Sequence, residues 1–428
     1  MSRREVSRIA ATLEKTLSES EIDELGKSTG QSQRLRVITP FRLLVSLLGA
    51  LGDGTAESIA DLCREFNFAH GTTTAYKAFY NRLARPGFAE FMRAVVSRFL
   101  TEFAVRTLEV QPGSPLERFT DIIVQDGSSF AVKASLRGVF PGRFTTIEPA
   151  AVELHATLSG FYDEILEVSL SPDTTQERAF LPSDEDLIGQ LLLADRGYPS
   201  HDYLAGLDAA GANYIMRLSR GFKPYVCAIH GGRRITRLRR PVPLPDFLAR
   251  SGTNELDLDV EMRRKKEVYA CRLLVLPGKE KSGTRLCTNL SREEFPPALV
   301  ARLYRFRWQI ELMFKEWKSY ANLRRFDTGN EHIAEGLIWA SLAAAILKRF
   351  LAHATQRARG SAISTRKVAM CARVFLRNLL ADLSPPRLLR ETLLEIVNFL
   401  DHNARRADLE RDRRRGRLGA GLALRGVG

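Results

Sequence analysis

Three acidic residues in this 428-residue chain stand where their chemistry can be shared. Asp126 follows the apolar run Ile122-Ile123-Val124-Gln125 and opens Asp126-Gly127-Ser128-Ser129. Asp195 follows Leu191-Leu192-Leu193-Ala194 and opens Asp195-Arg196-Gly197-Tyr198. Glu311 lies in a helical pattern that runs Leu303-Tyr304-Arg305-Phe306-Arg307-Trp308-Gln309-Ile310-Glu311. Two carboxylates at strand ends and a third on a later helix can converge on a pair of divalent metal ions. Such a pair stabilises the attacking and the leaving oxygen of an in-line phosphoryl displacement. The chain carries a net charge of +14 and a pI near 9.8, which calls for an anionic partner. Together these point to the backbone of nucleic acid.

The helix that carries Glu311 has a polar stripe. At ~100° per residue, Arg307 falls near −60°, Glu311 near −20° and Lys318 near −40° relative to Tyr304. Phe306, Ile310, Met313 and Trp317 lie away from the stripe, while Lys315 and Trp308 lie at its edge. A solvated face is the ordinary explanation of charged helix residues. Against it, the rest of the circumference is largely apolar, as in a helix buried on several sides with one stripe aimed at charge.

Other elements must position these residues. Residues 1–115 read as helices. Thr55, after Gly52-Asp53-Gly54, is placed to cap a helix through Leu62 and Cys63. A turn at His70-Gly71 then leads through Thr72-Thr73-Thr74 into Ala75–Arg82. Helix, glycine turn, basic helix is the pattern of a DNA-docking helix-turn-helix and equally of any helical hairpin. Residues 116–219 alternate strands (Ile122–Gln125, Ala150–Leu158, Glu164–Leu170, Leu191–Ala194, Asn213–Leu218) with helices near 176–190 and 200–210. A meander followed by parallel crossovers makes a mixed five-stranded sheet flanked by helices, an α/β fold.

Residues 220–290 are strand-like and loop-rich. Arg217, Arg220, Lys223, Arg233, Arg234, Arg237, Arg239 and Arg240 form one basic concentration, and Arg263-Arg264-Lys265-Lys266 a second. Phosphate contact explains both, with Arg233 and Arg234 as candidate ligands of DNA phosphates; a solvated face explains either alone. From 291 to 355 a long helix runs from Pro296-Pro297 to about Tyr320, and an apolar helix follows at about 332–353. Residues 356–428 are helical with a break at Pro385-Pro386, and Arg411–Gly428 reads as a disordered basic tail.

The remaining residues carry milder expectations. Five scattered cysteines read as buried thiols of a reducing compartment. The apolar stretch Leu337–Leu347 is too short to span a bilayer, and Arg3, Arg4, Glu5 and Arg8 interrupt any leader-like run. No membrane role is expected. A cytoplasmic bacterial protein, nucleoid-associated when bound to DNA, is. Ser128 and Ser129 read as turn residues and His155 as a core histidine. Asp173 reads as a loop residue or a carboxylate supporting the acids.

Tyr304-x2-Arg307-x3-Glu311-x6-Lys318 matches the Y-R-E-K signature of the insertion-sequence-4 type of DDE transposases. Asp126-Gly127-Ser128, Asp195-Arg196-Gly197-Tyr198 and Thr288-Asn289-Leu290 resemble the same family, and the likeness covers about residues 120 to 330. The resemblance implies an RNase H-like sheet interrupted by a β-rich insertion, with acids on its first strand, after its fourth and on a late helix. It implies Asp126, Asp195 and Glu311 as catalytic ligands of two Mg2+ ions, Mn2+ substituting, and Tyr304, Arg307 and Lys318 as phosphate contacts. It further implies a homodimer that cleaves transposon-end DNA and transfers the 3′-OH strand into target DNA. A nuclease of the same fold without strand transfer, or a silent domesticated DNA-binding protein, is the alternative. Some members stack an aromatic of the insertion on a flipped base. No Trp lies between 219 and 295, which leaves Phe222, Tyr225 or Tyr269 for that role.

Overall fold

Thr39 and Pro40 begin the most buried helix of the N-terminal region. The Thr39 hydroxyl accepts from Arg42 N–H, and proline suits a first turn whose N–H has no partner. The computed structural model describes residues 3–407 and 424–426, apart from 107, 111, 232–233, 252–254, 265–266, 278–282, 322, 324–326 and 384. Six helices open it: α1 (Arg3–Thr16), α2 (Glu19–Ser28), α3 (Pro40–Gly52), α4 (Ile59–His70), α5 (Tyr76–Leu83) and α6 (Pro86–Glu102). The cap of α4 is Ser58, not Thr55. Ser58 and Asp61 cap one another reciprocally, while Thr55 turns back onto Asp53.

After the short strand β1 (Leu108–Val110) come β2 (Ile122–Ala131), β3 (Pro141–Phe144), β4 (Glu148–Ser159), β5 (Glu164–Pro172) and β6 (Leu191–Ala194). Then follow α7 (His201–Ala210) and β7 (Asn213–Arg217). The runs Ile122–Val124 and Leu191–Ala194 are apolar without alternation because both lie deep in the sheet, covered on two faces. β5, β4 and β2 form an antiparallel meander, and β6 and β7 add in parallel beside β2. The order β5-β4-β2-β6-β7 is that of an RNase H-like sheet.

The next strands are β8 (Tyr225–Gly231), β9 (Arg234–Pro243), β10 (Leu256–Arg264), β11 (Glu267–Leu276) and β12 (Thr284–Thr288), with α8 (Leu244–Ser251) after β9. They build no separate sheet. β12 pairs with β7, so the core sheet continues as β7-β12-β11-β10-β8-β9.

Helices α9 (Pro297–Phe306), α10 (Trp308–Tyr320), α11 (Glu331–Arg359), α12 (Thr365–Ala381) and α13 (Pro386–Asn403) follow, and β13 (Leu424–Gly426) pairs with β1. One apolar cluster joins α9–α11 and the N-terminal helices to one face of the sheet; a second lies under α7 and α8 on the other. α11 is long and apolar enough to cross a bilayer, but its apolar window is wholly buried inside the protein.

Two helical expectations differ from the structure. Residues 176–190 form only two short 3-10 turns, Glu177–Phe180 and Glu185–Leu187. Pro182 forces Leu181 into extended backbone and withholds an N–H, so no α-helix can pass. The long helix at 296–320 is two helices. At Arg307 the chain tightens, with Arg307 N–H bonded to Tyr304 C=O and Ile310 N–H to Arg307 C=O, a three-residue spacing.

Candidate active site

Parallel pairing sets Gln125 of β2 against Ala194 of β6. The next residue of each strand line is Asp126 and Asp195, so register alone makes the two acids neighbours. β2 runs on past Asp126 to Ala131, and Ser128 and Ser129 are therefore strand residues, not turn residues. The polar stripe of α9 and α10 closes over the pair. Tyr304 Oη donates to Asp195 Oδ1 at 2.9 Å, and Arg217 of β7 stands 3.6 Å from the same oxygen. Arg307 spans two acids, with Nη1 2.8 Å from Asp126 Oδ2 and Nη2 2.5 Å from Glu311 Oε1. Lys318 Nζ donates to Ser129 C=O at 2.7 Å. The structure thus brings Asp126, Asp195, Glu311, Tyr304 and Arg307 to one place, with Lys318 farther along β2 at Ser129. Lys315 lies over the Trp308 ring at 4.6 Å, so that pair belongs to the helix surface and not to the cleft.

Charge in the cleft is poorly balanced. Burial first, then the negative charges of Asp195 and Glu311, push the Asp126 carboxyl up to about 6 against the pull of Arg307 and the Gly127 N–H. At Asp195 burial also pushes upward, but Arg307, Tyr304 and Arg217 outweigh it and hold the carboxyl below its usual range. A surplus of hard carboxylate oxygens is the donor chemistry that a divalent cation takes. Arg307 stands between two of the acids, and among the described residues no three or more His, Cys, Asp or Glu side chains are closed to metal-ligand spacing.

Beside Asp195, Arg196, Arg217, Arg220 and Arg285 line a cavity of about 550 Å³ together with Leu218, Ser219 and Gly283. Two of these arginines were visible as part of a basic run; Arg285 reaches the cavity only through the β7–β12 pairing. Arg234 is elsewhere. It begins β9, the exposed edge strand, seven strand spacings from β2 and so on the order of 30 Å from the acids. Arg233, Lys265, Lys266 and the tail from Arg411 lie outside the described residues, β13 apart. Of the candidate stacking aromatics, Phe222 is buried in the second apolar cluster, and Arg263 covers the Tyr225 ring at 4.0 Å. Tyr269 packs against the same cluster.

A family model described as "Transposase DDE domain" matches residues 119–347, more than half of the chain, and all three acids fall within it. The chain belongs to the DDE transposase family. The transposase for insertion sequence element IS231B of Bacillus thuringiensis subsp. berliner is 22% identical to it over 365 residues, 77% of this chain and 76% of that one. The transposase for insertion sequence element IS1151 of Clostridium perfringens is 22% identical over 349 residues, 72% and 73% of the two chains. Among solved structures, a piggyBac transposase synaptic complex with hairpin DNA aligns at 11% identity over 90% of this chain and 84% of that one, with a TM-score of 0.47. DNA is accordingly the substrate of this DDE transposase, and its family depends on divalent metal.

The transposase also holds acids that local sequence does not reveal. A Cβ on Gly127 would stand 2.8 Å from Glu153 Oε1 and 3.2 Å from His155 Nδ1, and one on Gly197 would collide with the Glu177 carboxylate. Gly127, directly after Asp126, and Gly197, two residues after Asp195, thus each lack a side chain where a glutamate stands. Glu153 and His155 lie opposite Ser129 and Gly127 in the β2–β4 ladder, on the sheet face away from Asp126. Glu153 Oε2, His155 Nδ1 and the Tyr198 hydroxyl are all buried without a hydrogen-bond partner among the described residues. His155 stacks on Phe180 at 3.7 Å and bonds Ser171, and burial lowers it to about 4, so it stays neutral. Asp173 lies in the turn after β5, buried, and accepts from Ser129 Oγ and Arg143 N–H, so it is a loop residue that also supports β2.

Burial disfavours the ionised form of Glu153. Burial first, then the charge of Glu177, raises its carboxyl to about 7, against Arg143. The folded form binds its proton more tightly than the unfolded chain, so stability is full below ~4.5 and falls as pH rises toward ~7. Glu153→Gln should remove that slope and raise stability at pH 8 by up to about 3 kcal/mol. Urea melts of both proteins at pH 5 and pH 8 check this; equal slopes would contradict it.

Proposed function

We propose that this transposase works by cut-and-paste, cleaving at the ends of its element and transferring the exposed 3′-OH strand into target DNA. The reading is carried by one observation: three acids, Tyr304 and Arg307 meet in a single cleft that opens beside a cavity lined by four arginines, with Lys318 farther along β2. Asp126, Asp195 and Glu311 offer hard oxygens to two Mg2+ ions, with Mn2+ able to substitute. Bound there, such a pair supplies Lewis acidity for in-line displacement at phosphorus. Tyr304, Arg307 and Lys318 hold phosphate oxygens that flank the scissile bond, Arg307 as a planar fork and Lys318 as a point charge. Arg196, Arg217, Arg220 and Arg285 take neighbouring phosphates of the same strand.

Away from the cleft, β9 from Arg234 onward, with Arg233 before it, meets flanking DNA. The outward residues Tyr76, Lys77 and Asn81 of α5 face the element end in the manner of a recognition helix. Two copies act on paired ends, in the cytoplasm at nucleoid DNA.

The test uses the purified full chain, Mg2+, a supercoiled acceptor plasmid and a labelled duplex carrying the DNA that flanks its own gene. Cleavage at the element end followed by joining, both lost in Asp126→Ala, is the expected result. Metal-dependent cutting without joining would replace the transposase reading by a nuclease. Binding without cutting would leave a DNA-binding relic.

A further inference from the structure

Arg307 does two jobs that exclude one another. Its fork joins Asp126 of β2 to Glu311 of α10 at 2.8 and 2.5 Å, and its side chain is almost wholly buried there. Two carboxylates that ligate one small divalent cation each place an oxygen about 2.0–2.1 Å from it. Oxygens so placed lie roughly 3 Å apart in octahedral geometry, which leaves no room for a guanidinium between them. The cation and this position of Arg307 therefore compete for the same oxygens. Nor is Arg307 fully satisfied where it is. Its Nε–H is buried and has no hydrogen-bond partner among the described residues. The break between α9 and α10 falls at Arg307 itself, so its backbone is not fixed by an uninterrupted helical ladder.

We propose that Arg307 is a displaceable counter-ion, which stands in for the cation among the acids while DNA is absent and yields them when a DNA phosphate takes its guanidinium. This rests on the reading of Asp126, Asp195 and Glu311 as cation ligands. A phosphate is the right competitor, because its planar pairs of oxygens match the fork as well as a carboxylate does and also reach Nε–H. The consequence is linkage: DNA raises cation affinity, and the cation raises DNA affinity by the same factor. Without DNA the cleft is neutralised from within, and it acquires its cations mainly on substrate. Coupling of this kind typically spans about 5- to 150-fold in affinity.

The experiment measures equilibrium binding and needs no turnover. Mn2+ alone is titrated into the full chain, and free Mn2+ is read by electron paramagnetic resonance, with and without a duplex carrying the gene's flanking DNA. The proteins are wild type, Arg307→Gln and Arg307→Lys, each checked by circular dichroism. In the absence of DNA, Arg307→Gln should bind Mn2+ at least about 10-fold more tightly than wild type, and adding DNA should tighten wild type but not the variant. Arg307→Lys keeps the charge but cannot span both acids, so it should fall between the two. Equal affinity of wild type and Arg307→Gln without DNA would overturn the proposal, and so would a wild-type affinity that ignores DNA. Arg307→Lys behaving as wild type would overturn the spanning fork and leave only a charge effect. Asp126→Asn combined with Arg307→Gln separates the two levels. Loss of the gained affinity assigns it to this cleft, whereas its persistence would overturn the cation-ligand reading itself and the counter-ion with it.

Discussion

Glu311→Gln should lower DNA cleavage by about 10³-fold or more, some 4 kcal/mol of transition-state stabilisation, while DNA binding and folding stay close to wild type. Gln has the size of Glu and its amide oxygen still accepts from Arg307, so the packing of α10 against β2 is kept. Glu311 is partly exposed, and no buried charge is stranded when it is neutralised. What disappears is one of the three anionic oxygen donors of the cleft, which a neutral amide does not replace as a ligand for a hard divalent cation. DNA binding should hold or tighten slightly, because a negative charge beside the phosphate path has gone. Gel assays of cleavage and filter binding on the same labelled duplex separate the two effects. Cleavage within 10-fold of wild type would remove Glu311 from the catalytic set.

The legible part of this site was local. Ile122–Val124 and Leu191–Ala194 announce strands buried on both faces, because interior parallel strands are apolar at every position. Tyr304, Arg307, Glu311 and Lys318 share a stripe because helical spacing puts them there, and the stripe survives the break at Arg307. What local pattern does not contain is register between distant segments. Glu153 and Glu177 are ordinary acids in sequence, and only the β2–β4 pairing and the crossover to β6 bring them behind Gly127 and Gly197. Gly127 and Gly197 are visible in sequence as small residues near the two aspartates, but a glycine does not say what fills the space beside it. The same holds for the insertion, whose strands were readable while their continuation of the core sheet through β12 was not. Arg307 was legible as a charge aimed at the site. That it lies on the acids depends on three elements meeting, and no helical wheel encodes that.

Arg349→Met should destabilise the protein by about 3–5 kcal/mol, the cost of leaving a buried charge without its partner. Arg349 lies on α11, deep between the sheet and the helical regions, and bonds Asp163 twice, through Nε to its C=O at 2.8 Å and Nη2 to Oδ1 at 2.8 Å. One turn on, His353 pairs with Glu164 at 2.9 Å. Asp163 sits in the β4–β5 turn with a φ of 53°, a left-handed conformation that costs any residue with a side chain. The ion pair thus holds a strained turn against α11, and through β4 it fixes the strand beside Asp126. Burial alone would raise the Asp163 carboxyl, but Arg349 and His353 outweigh it and hold it below the usual range. Its contribution is therefore present above the unfolded carboxylate pKa and lost as pH falls through the folded one. In Arg349→Met that acid-dependent loss should vanish along with the stability. Adding Asp163→Asn should recover much of it, since asparagine tolerates the left-handed turn and brings no charge that needs a partner. Urea melts of the four proteins of this cycle at pH 4 and pH 7 decide the matter. If Asp163→Asn deepens the defect of Arg349→Met, the turn is held by something other than this pair.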